Sequence, residues 1–184
     1  MLSRPTPEYV RSRLPLFDDY ADADAALELV FQAWPDNTHL PHVLVKVVTL
    51  NRLYSTSIFD VHGVARHIVS LDLDSDLRSA EPGLVPRIAT FQLSNGKSRN
   101  NYSFATKYCA WHNPDGFQIY DSRVDEALWH YKKHYGFASF RRYDLGDYPT
   151  FTQIMDQFIE HFELHTFTRR QLDKFLWIEG GTLF

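Results

Sequence analysis

Cysteine is nearly absent from this 184-residue chain, where Cys109 stands alone. A single thiol excludes an internal disulfide and a cysteine-rich zinc site, and it fits a reducing compartment. Long apolar runs are missing too. No stretch is long enough to cross a bilayer, and the opening MLSRPTPEYVRSRLPLF lacks the apolar core of a secretion signal. Nor is there an excess of positive charge. Nineteen Lys+Arg against 23 Asp+Glu give a net charge of −4, so any nucleic-acid contact must come from a local patch. Walker loop, GxGxxG and HExxH patterns do not occur. The expectation is a cytoplasmic monomer without cofactor, metal or membrane contact.

Aromatic residues, by contrast, are plentiful at 15%. Most must be core, because Phe and Trp dominate burial. The periodicity is largely helical and predicts an all-α chain with little strand. From Asp22 an Asp-rich first turn opens a helix with Ala25, Leu29 and Ala33 at helical spacing. The run 43–54 reads equally as a buried strand or a buried helix. Ile58, Val61, Ala65 and Ile68 share one helical face. LVPRIATFQL, 84–93, reads as a short apolar helix with Pro86 in its first turn, and YSFATKYCAWH as another. Phe151, Ile154, Phe158 and Phe162 form a stripe. Thr168 and Gln171 make a capping box, and Gly180 and Gly181 end the last helix.

Two features carry chemistry. Segment 86–108 holds Arg87, Lys97, Arg99 and Lys107 and no acidic residue. Two helices joined by a Gly turn at Gly96 would point backbone N–H groups at a phosphate, with Lys97 and Arg99 adding charge-assisted contacts. Alternatively this is a solvated basic turn. Downstream, the apolar strip FQIY stops at Asp121, where a helix begins. Asp121 is in the N-cap position, and the start of a helix stabilises a negative charge.

The run from "LVPRIATFQL" through "SNGKSRNN" and "YSFATKYCAWH" to "FQIYD" and "SRVDEALW" resembles the helix-hairpin-helix DNA glycosylases, in particular the 8-oxoguanine glycosylase branch. The resemblance covers roughly residues 43–130. It implies a helix-hairpin-helix glycosylase-like domain over 1–184, divisible into two lobes with the cleft between them, and a hairpin motif at about 86–112. Its partner would be double-stranded DNA with a modified base. Asp121 would be the catalytic carboxylate. Gly96, Lys97, Arg99, Asn100 and Asn101 would hold the backbone, and Asn51 with Arg52 would enter the gap left by a flipped base. Bifunctional members carry a lysine where this chain has Asn100, Asn101 or Tyr102. Lys97 comes slightly early and Lys107 a turn or two late, which favours a monofunctional enzyme with a water nucleophile. One carboxylate near C1′ then suffices to stabilise oxocarbenium-like charge and orient water. Trp111, Phe117, Tyr120 and Trp177 are candidates for a base pocket, each competing with an ordinary core role. The excised base would be an oxidised purine or, in phage defence, a hypermodified (glucosylated hydroxymethyl) cytosine.

Two rival classes remain: a non-catalytic DNA-binding module in which Asp121 only caps a helix, and a metal-dependent hydrolase. His130 and His134, and again His161 and His165, are spaced i, i+4. Lys132 and Lys133 between the first pair would repel a cation. Cys109 in an aromatic helix reads as core, and Asp72, Asp74 and Asp76 read as an acidic surface turn.

Overall fold

The computed structural model describes residues 2–92, 96 and 98–183. It is predominantly helical. In chain order come α1 (Pro7–Arg13), a 3₁₀ segment (Leu14–Tyr20), α2 (Ala21–Ala33), α3 (Leu40–Tyr54), α4 (Val61–Ser70), α5 (Asp74–Ser79) and α6 (Leu84–Ala89). Strands β1 (Thr90–Gln92) and β2 (Ser98–Asn100) follow, then α7 (Tyr102–His112), α8 (Ser122–Tyr135), a second 3₁₀ turn (Arg142–Gly146), α9 (Tyr148–His161) and α10 (Arg169–Gly181). The chain divides into two compact units. The central one is Ala21–Ile119, and the terminal one joins the residues up to Tyr20 to those from Tyr120 onward.

In the central unit α3 packs on α4, α2 packs on α3 and α7, and α6 packs on α7. The ambiguous run 43–54 is helical, with Val43, Val47 and Leu50 buried at helical spacing. On α2 the expected face is the wrong one. Leu27 and Phe31 are buried, whereas Leu29 is 69% exposed and Ala25 and Ala33 face solvent. The first apolar positions in a helix of mixed polarity did not reveal which side meets a neighbour. The acidic turn at 72–76 contains a short helix, α5.

The helix expected over 84–93 is also shorter than its sequence suggests. It stops at Ala89, and an antiparallel pair takes over, with Thr90 opposite Asn100, Phe91 opposite Arg99 and Gln92 opposite Ser98. Thr and Phe favour extended backbone. Phe91 is buried between exposed Thr90 and Gln92, the period-two pattern of a strand. The Asn101 N–H donates to the Ala89 carbonyl at 2.9 Å and closes the hairpin. The simple Gly turn between two helices is therefore a β hairpin between two helices.

A buried polar network braces one end of this unit. Lys46 of α3 is fully buried, and its Nζ donates to the carbonyls of Trp34 (3.0 Å) and Asp36 (2.7 Å) and to Asn37 Oδ1 (2.8 Å). Asn37 in turn donates to Asp74 at 2.6 Å and accepts the Tyr108 hydroxyl at 2.5 Å. His112 Nε2 lies 3.3 Å from Lys46 Nζ. The three ammonium protons match the three oxygen acceptors, and Nε2 turns its lone pair toward the cation, which leaves the imidazole proton on Nδ1. Burial pulls the Lys46 amine down to about 8. Burial first, and the Lys46 charge second, pull His112 down to about 3. Lys46 did not stand out in the sequence, because a lysine in an apolar helix shows its partners only after folding.

In the terminal unit α10 packs along α8 and also meets α1 and the first 3₁₀ segment. Phe151, Ile154 and Phe158 of α9 and the following Phe162 are all buried, as their spacing implies. Thr168 and Gln171 form the expected capping box. The two glycines do more than end α10, which stops at Gly181 as expected. Both lie inside the helix, and a Cβ on Gly180 would sit 2.0 Å from the Arg123 carbonyl oxygen. The neighbouring Glu179, 1% exposed, gathers the Arg13 guanidinium (2.7 Å), the Tyr9 hydroxyl (3.2 Å) and the Tyr131 hydroxyl (3.1 Å). Burial and the Glu179 charge push the Tyr131 phenol far above its ordinary range, so it stays a donor.

Two stability predictions follow from these contacts. Gly180→Ala must push α10 off α8 and should cost roughly 3 kcal/mol or more in urea denaturation, at the upper end for overpacking. Glu179→Gln, which weakens three donors at once, should cost about 3 kcal/mol. Equal stability of either variant with wild type would show that the contact is not maintained in solution. For His112, the folded value near 3 lies below the ordinary 6.5. Its stabilising contribution is therefore complete above pH 6.5 and drains away as pH falls toward 3, at up to about 1.4 kcal/mol per pH unit. His112→Gln should flatten this part of a stability–pH curve measured by urea titration.

Candidate functional site

Asp121 caps α8. Its backbone is extended, with φ −154° and ψ −178°, and Oδ1 accepts the N–H groups of Arg123 and Val124, each at 3.0 Å. The carboxylate is half-buried. Its position is fixed by its surroundings. The Arg123 carbonyl abuts Gly180, and the Arg123 guanidinium stacks on Trp177 with 3.8 Å between CZ and the ring centroid. Just before the cap, the Tyr120 hydroxyl donates to buried Asp125 at 2.9 Å, and Asp125 also takes Arg142 Nε at 2.6 Å. Burial, followed by the Asp125 charge, raises the Tyr120 phenol well above its ordinary range. The Tyr120 ring meets Phe151 edge-on at 5.6 Å. The apolar strip FQIY therefore delivers the chain to a rigid helix start.

The candidate pocket residues divide between the units. Tyr120 and Trp177 belong to the terminal unit, Trp111 and Phe117 to the central one. Phe117 is 1% exposed, while Trp111 is half-buried and tilted against Phe31. Trp177 has Arg123 on its ring and Tyr20 and Phe17 at 4.9 and 5.5 Å.

The candidate backbone-contact residues lie in the central unit. Gly96 adopts φ +79°, a left-handed turn conformation that glycine takes without strain. Lys97 lies outside the described residues. Asn100 and Arg99 are exposed on β2, and Asn101 precedes α7 without making a side-chain cap. Among the described residues of 86–108, two of the cations are engaged by neighbours. Arg87 is paired with Asp76 at 2.5 Å and also donates to the Leu71 carbonyl. Lys107 is 1% exposed, donates to Ser103 Oγ at 2.8 Å and lies 5.3 Å from the Tyr54 ring. Arg99 and the Asp76-paired Arg87 are the exposed cations of this segment among the described residues.

Asn51 is not positioned as a reaching side chain. Its Nδ2 donates to the Ile58 carbonyl (3.0 Å), and its Oδ1 accepts the Ile58 N–H (2.9 Å) and the Thr56 hydroxyl (2.9 Å). These bonds clamp the loop after α3, in which Ser55 and Ser57 hold left-handed φ of 51° and 59°. The loop presents Phe59, 81% exposed, with the Arg99 guanidinium 5.0 Å from its ring centroid. Arg52 is exposed at the end of α3. Beside Phe59 a small cavity of ≈ 130 Å³ is lined by buried Ile58, Val64 and Phe91 and by Arg99 and Asn101. Phe59 escaped the sequence reading because a lone Phe in a short loop normally reads as core.

The histidine pairs have other occupations. His130 and His134 stack flat at 4.1 Å, and the Leu2 N–H points at His130 Nε2. His161 packs on Phe162 at 4.7 Å, and His165 faces Glu160 at 3.3 Å. Among the described residues no group of three His, Cys, Asp or Glu is placed to hold a metal ion. Cys109 is buried, and burial pushes its thiol upward, away from the nucleophilic thiolate. No helix among the described residues is long and apolar enough to cross a membrane.

No solved structure matches the chain. An uncharacterized protein of Haemophilus influenzae is 39% identical over 150 residues, which span 81% of this chain and 71% of that protein. The family HI_0787_N, described as an N-terminal domain, matches residues 8–116. The matched region holds the hairpin, Phe59 and Lys107 and ends shortly before the terminal unit resumes at Tyr120. The chain belongs to the HI_0787_N family.

Proposed function

We propose that this protein is a DNA glycosylase that flips a modified base out of double-stranded DNA and hydrolyses its N-glycosidic bond. Asp121 is the catalytic carboxylate. The observation that carries the reading is the setting of Asp121: a half-buried carboxylate, anchored through Oδ1 at the mouth of a helix whose own position is locked by Gly180. Such a group is fixed in space before the substrate arrives, which is what electrostatic stabilisation of a developing oxocarbenium requires. The resemblance of the hairpin-to-Asp121 run to helix-hairpin-helix glycosylases gives it the reaction class.

The central unit supplies DNA contacts. Arg99 and the left-handed turn at Gly96 belong to one β hairpin, with Arg52 and Asn100 also exposed. Phe59, held outward by the loop that Asn51 clamps, offers a ring on which a base can stack. This assigns Asn51 an indirect part, shaping the loop rather than entering the duplex. Substrate would be an oxidised purine or a hypermodified cytosine.

A second reading concerns the nucleophile. Lys107 is a buried amine on the helix leaving the hairpin, the desolvated setting that Schiff-base lysines use. Water remains the first choice because Lys107 sits later on α7 than the family resemblance requires. Borohydride trapping of a covalent DNA adduct, lost in Lys107→Gln, would replace water with the lysine.

Two measurements test the proposal. Abasic-site formation should be scored on duplexes carrying oxidised purines and on phage DNA with glucosylated hydroxymethylcytosine, beside unmodified DNA. Asp121→Asn keeps a good helix cap, so it should melt like wild type and yet lose about 10²-fold or more of the excision rate. Full activity in Asp121→Asn would refute the catalytic assignment. Arg99→Ala should weaken duplex binding for all sequences alike and make the log–log salt slope less negative by about 0.9. An unchanged slope would remove Arg99 from the interface.

A further inference from the structure

We propose that Arg123 is a preset clamp for a DNA backbone phosphate beside the nucleotide held at Asp121. The inference rests on the nucleic-acid reading above but uses a residue that the reading does not need. Arg123 lies in the first turn of α8, two residues after Asp121, and its own N–H donates to the Asp121 carboxylate. Its guanidinium lies over Trp177 at 3.8 Å from the ring centroid, a face-on stack. Below it, Gly181 leaves room that a side chain would take, since a Cβ there would come within 3.0 Å of Nη1. Backbone contact with Gly180, the stack on Trp177 and the space over Gly181 together fix the planar fork.

The fork is held and yet unused. Among the described residues, the Arg123 guanidinium makes no hydrogen bond or ion pair. In the same unit Arg13, Arg142 and Arg170 meet carboxylates, while Arg4 and Arg11 also lie over rings but at 5.2 and 5.5 Å, farther than the 3.8 Å of Arg123 on Trp177. The structure thus immobilises five N–H donors and supplies no acceptor. An arginine held this way has already lost the side-chain freedom that binding would otherwise take, and its fork matches the oxygens of a phosphate diester. Arg123 is therefore a positioning residue: it sets the backbone so that the sugar meets Asp121.

The test is duplex binding by fluorescence anisotropy over a range of salt, with wild type, Arg123→Gln, Arg123→Lys and Gly181→Ala. Arg123→Gln keeps most of the stem and should leave the melting temperature near wild type. It should make the salt slope less negative by about 1, weakening modified and unmodified DNA alike. Arg123→Lys should restore the slope but not the full affinity, because a point charge replaces a fork. Gly181→Ala should lower affinity while leaving the slope nearly unchanged. If the wild type binds DNA and Arg123→Gln has the same slope and affinity, Arg123 is structural and the clamp is refuted. If Arg123→Gln loses stability while its folded fraction binds with an unchanged slope, the clamp is likewise refuted. If the wild type binds no DNA at all, the glycosylase reading fails with it.

Discussion

The contact between Gly180 and the Arg123 carbonyl is the constraint on which the terminal unit depends. Two helices rarely approach with backbone against backbone, and here the absence of one Cβ allows it. Glu179, one residue earlier, binds α1 through Arg13 and Tyr9 and α8 through Tyr131. Gly181, one residue later, makes room for the Arg123 guanidinium. Three consecutive residues near the end of α10 thus fix the start of the chain, the axis of α8 and the side chains at its mouth. Asp121 inherits its position from them. A carboxylate on a loose turn could cap a helix equally well, but it would not hold a fixed location relative to the neighbouring helices.

The central unit solves a different problem by a similar principle. It must brace loops, and it does so with buried polar groups rather than close packing. Lys46 collects two carbonyls and Asn37 after α2, and Asn51 collects Ile58 and Thr56 after α3. Burying a charged amine is costly unless its donors are filled, and Lys46 has its three hydrogen bonds. The consequence at Asn51 is functional in form. Two left-handed serines and an outward phenylalanine are costly, and they persist because the asparagine holds the loop in place. A stiff loop that presents an apolar ring beside an arginine is an economical way to offer a stacking surface.

Together these arrangements describe a chain in which preorganisation recurs: a fixed carboxylate, a fixed guanidinium on a tryptophan, and a fixed ring beside the hairpin. It also changes the meaning of several residues. Trp177 carries Arg123 on its ring, so its contribution is to the arginine before it is to any base. Asn51 shapes a loop. Arg87 is neutralised by Asp76.

Helical class, the position of Asp121 at a helix start, the α9 stripe and the α10 capping box were all legible in the sequence, because they depend on residues three or four apart. The face of α2 was not, since Leu27 and Phe31 are selected by α3 and α7 and not by their own helix. The hairpin was half legible: Gly96 takes the left-handed φ that a turn glycine uses, but the strands are three residues each, too short to show alternation against an apolar helical background. Glycines near a helix end naturally read as a stop. Only the tertiary structure shows that α8 arrives beside Gly180 and turns the same glycine into a seat. By itself the sequence determined local conformation, where one chain segment supplies both partners of every interaction. Tertiary structure decided which polar groups are satisfied and which are left exposed, because their partners come from segments distant in sequence.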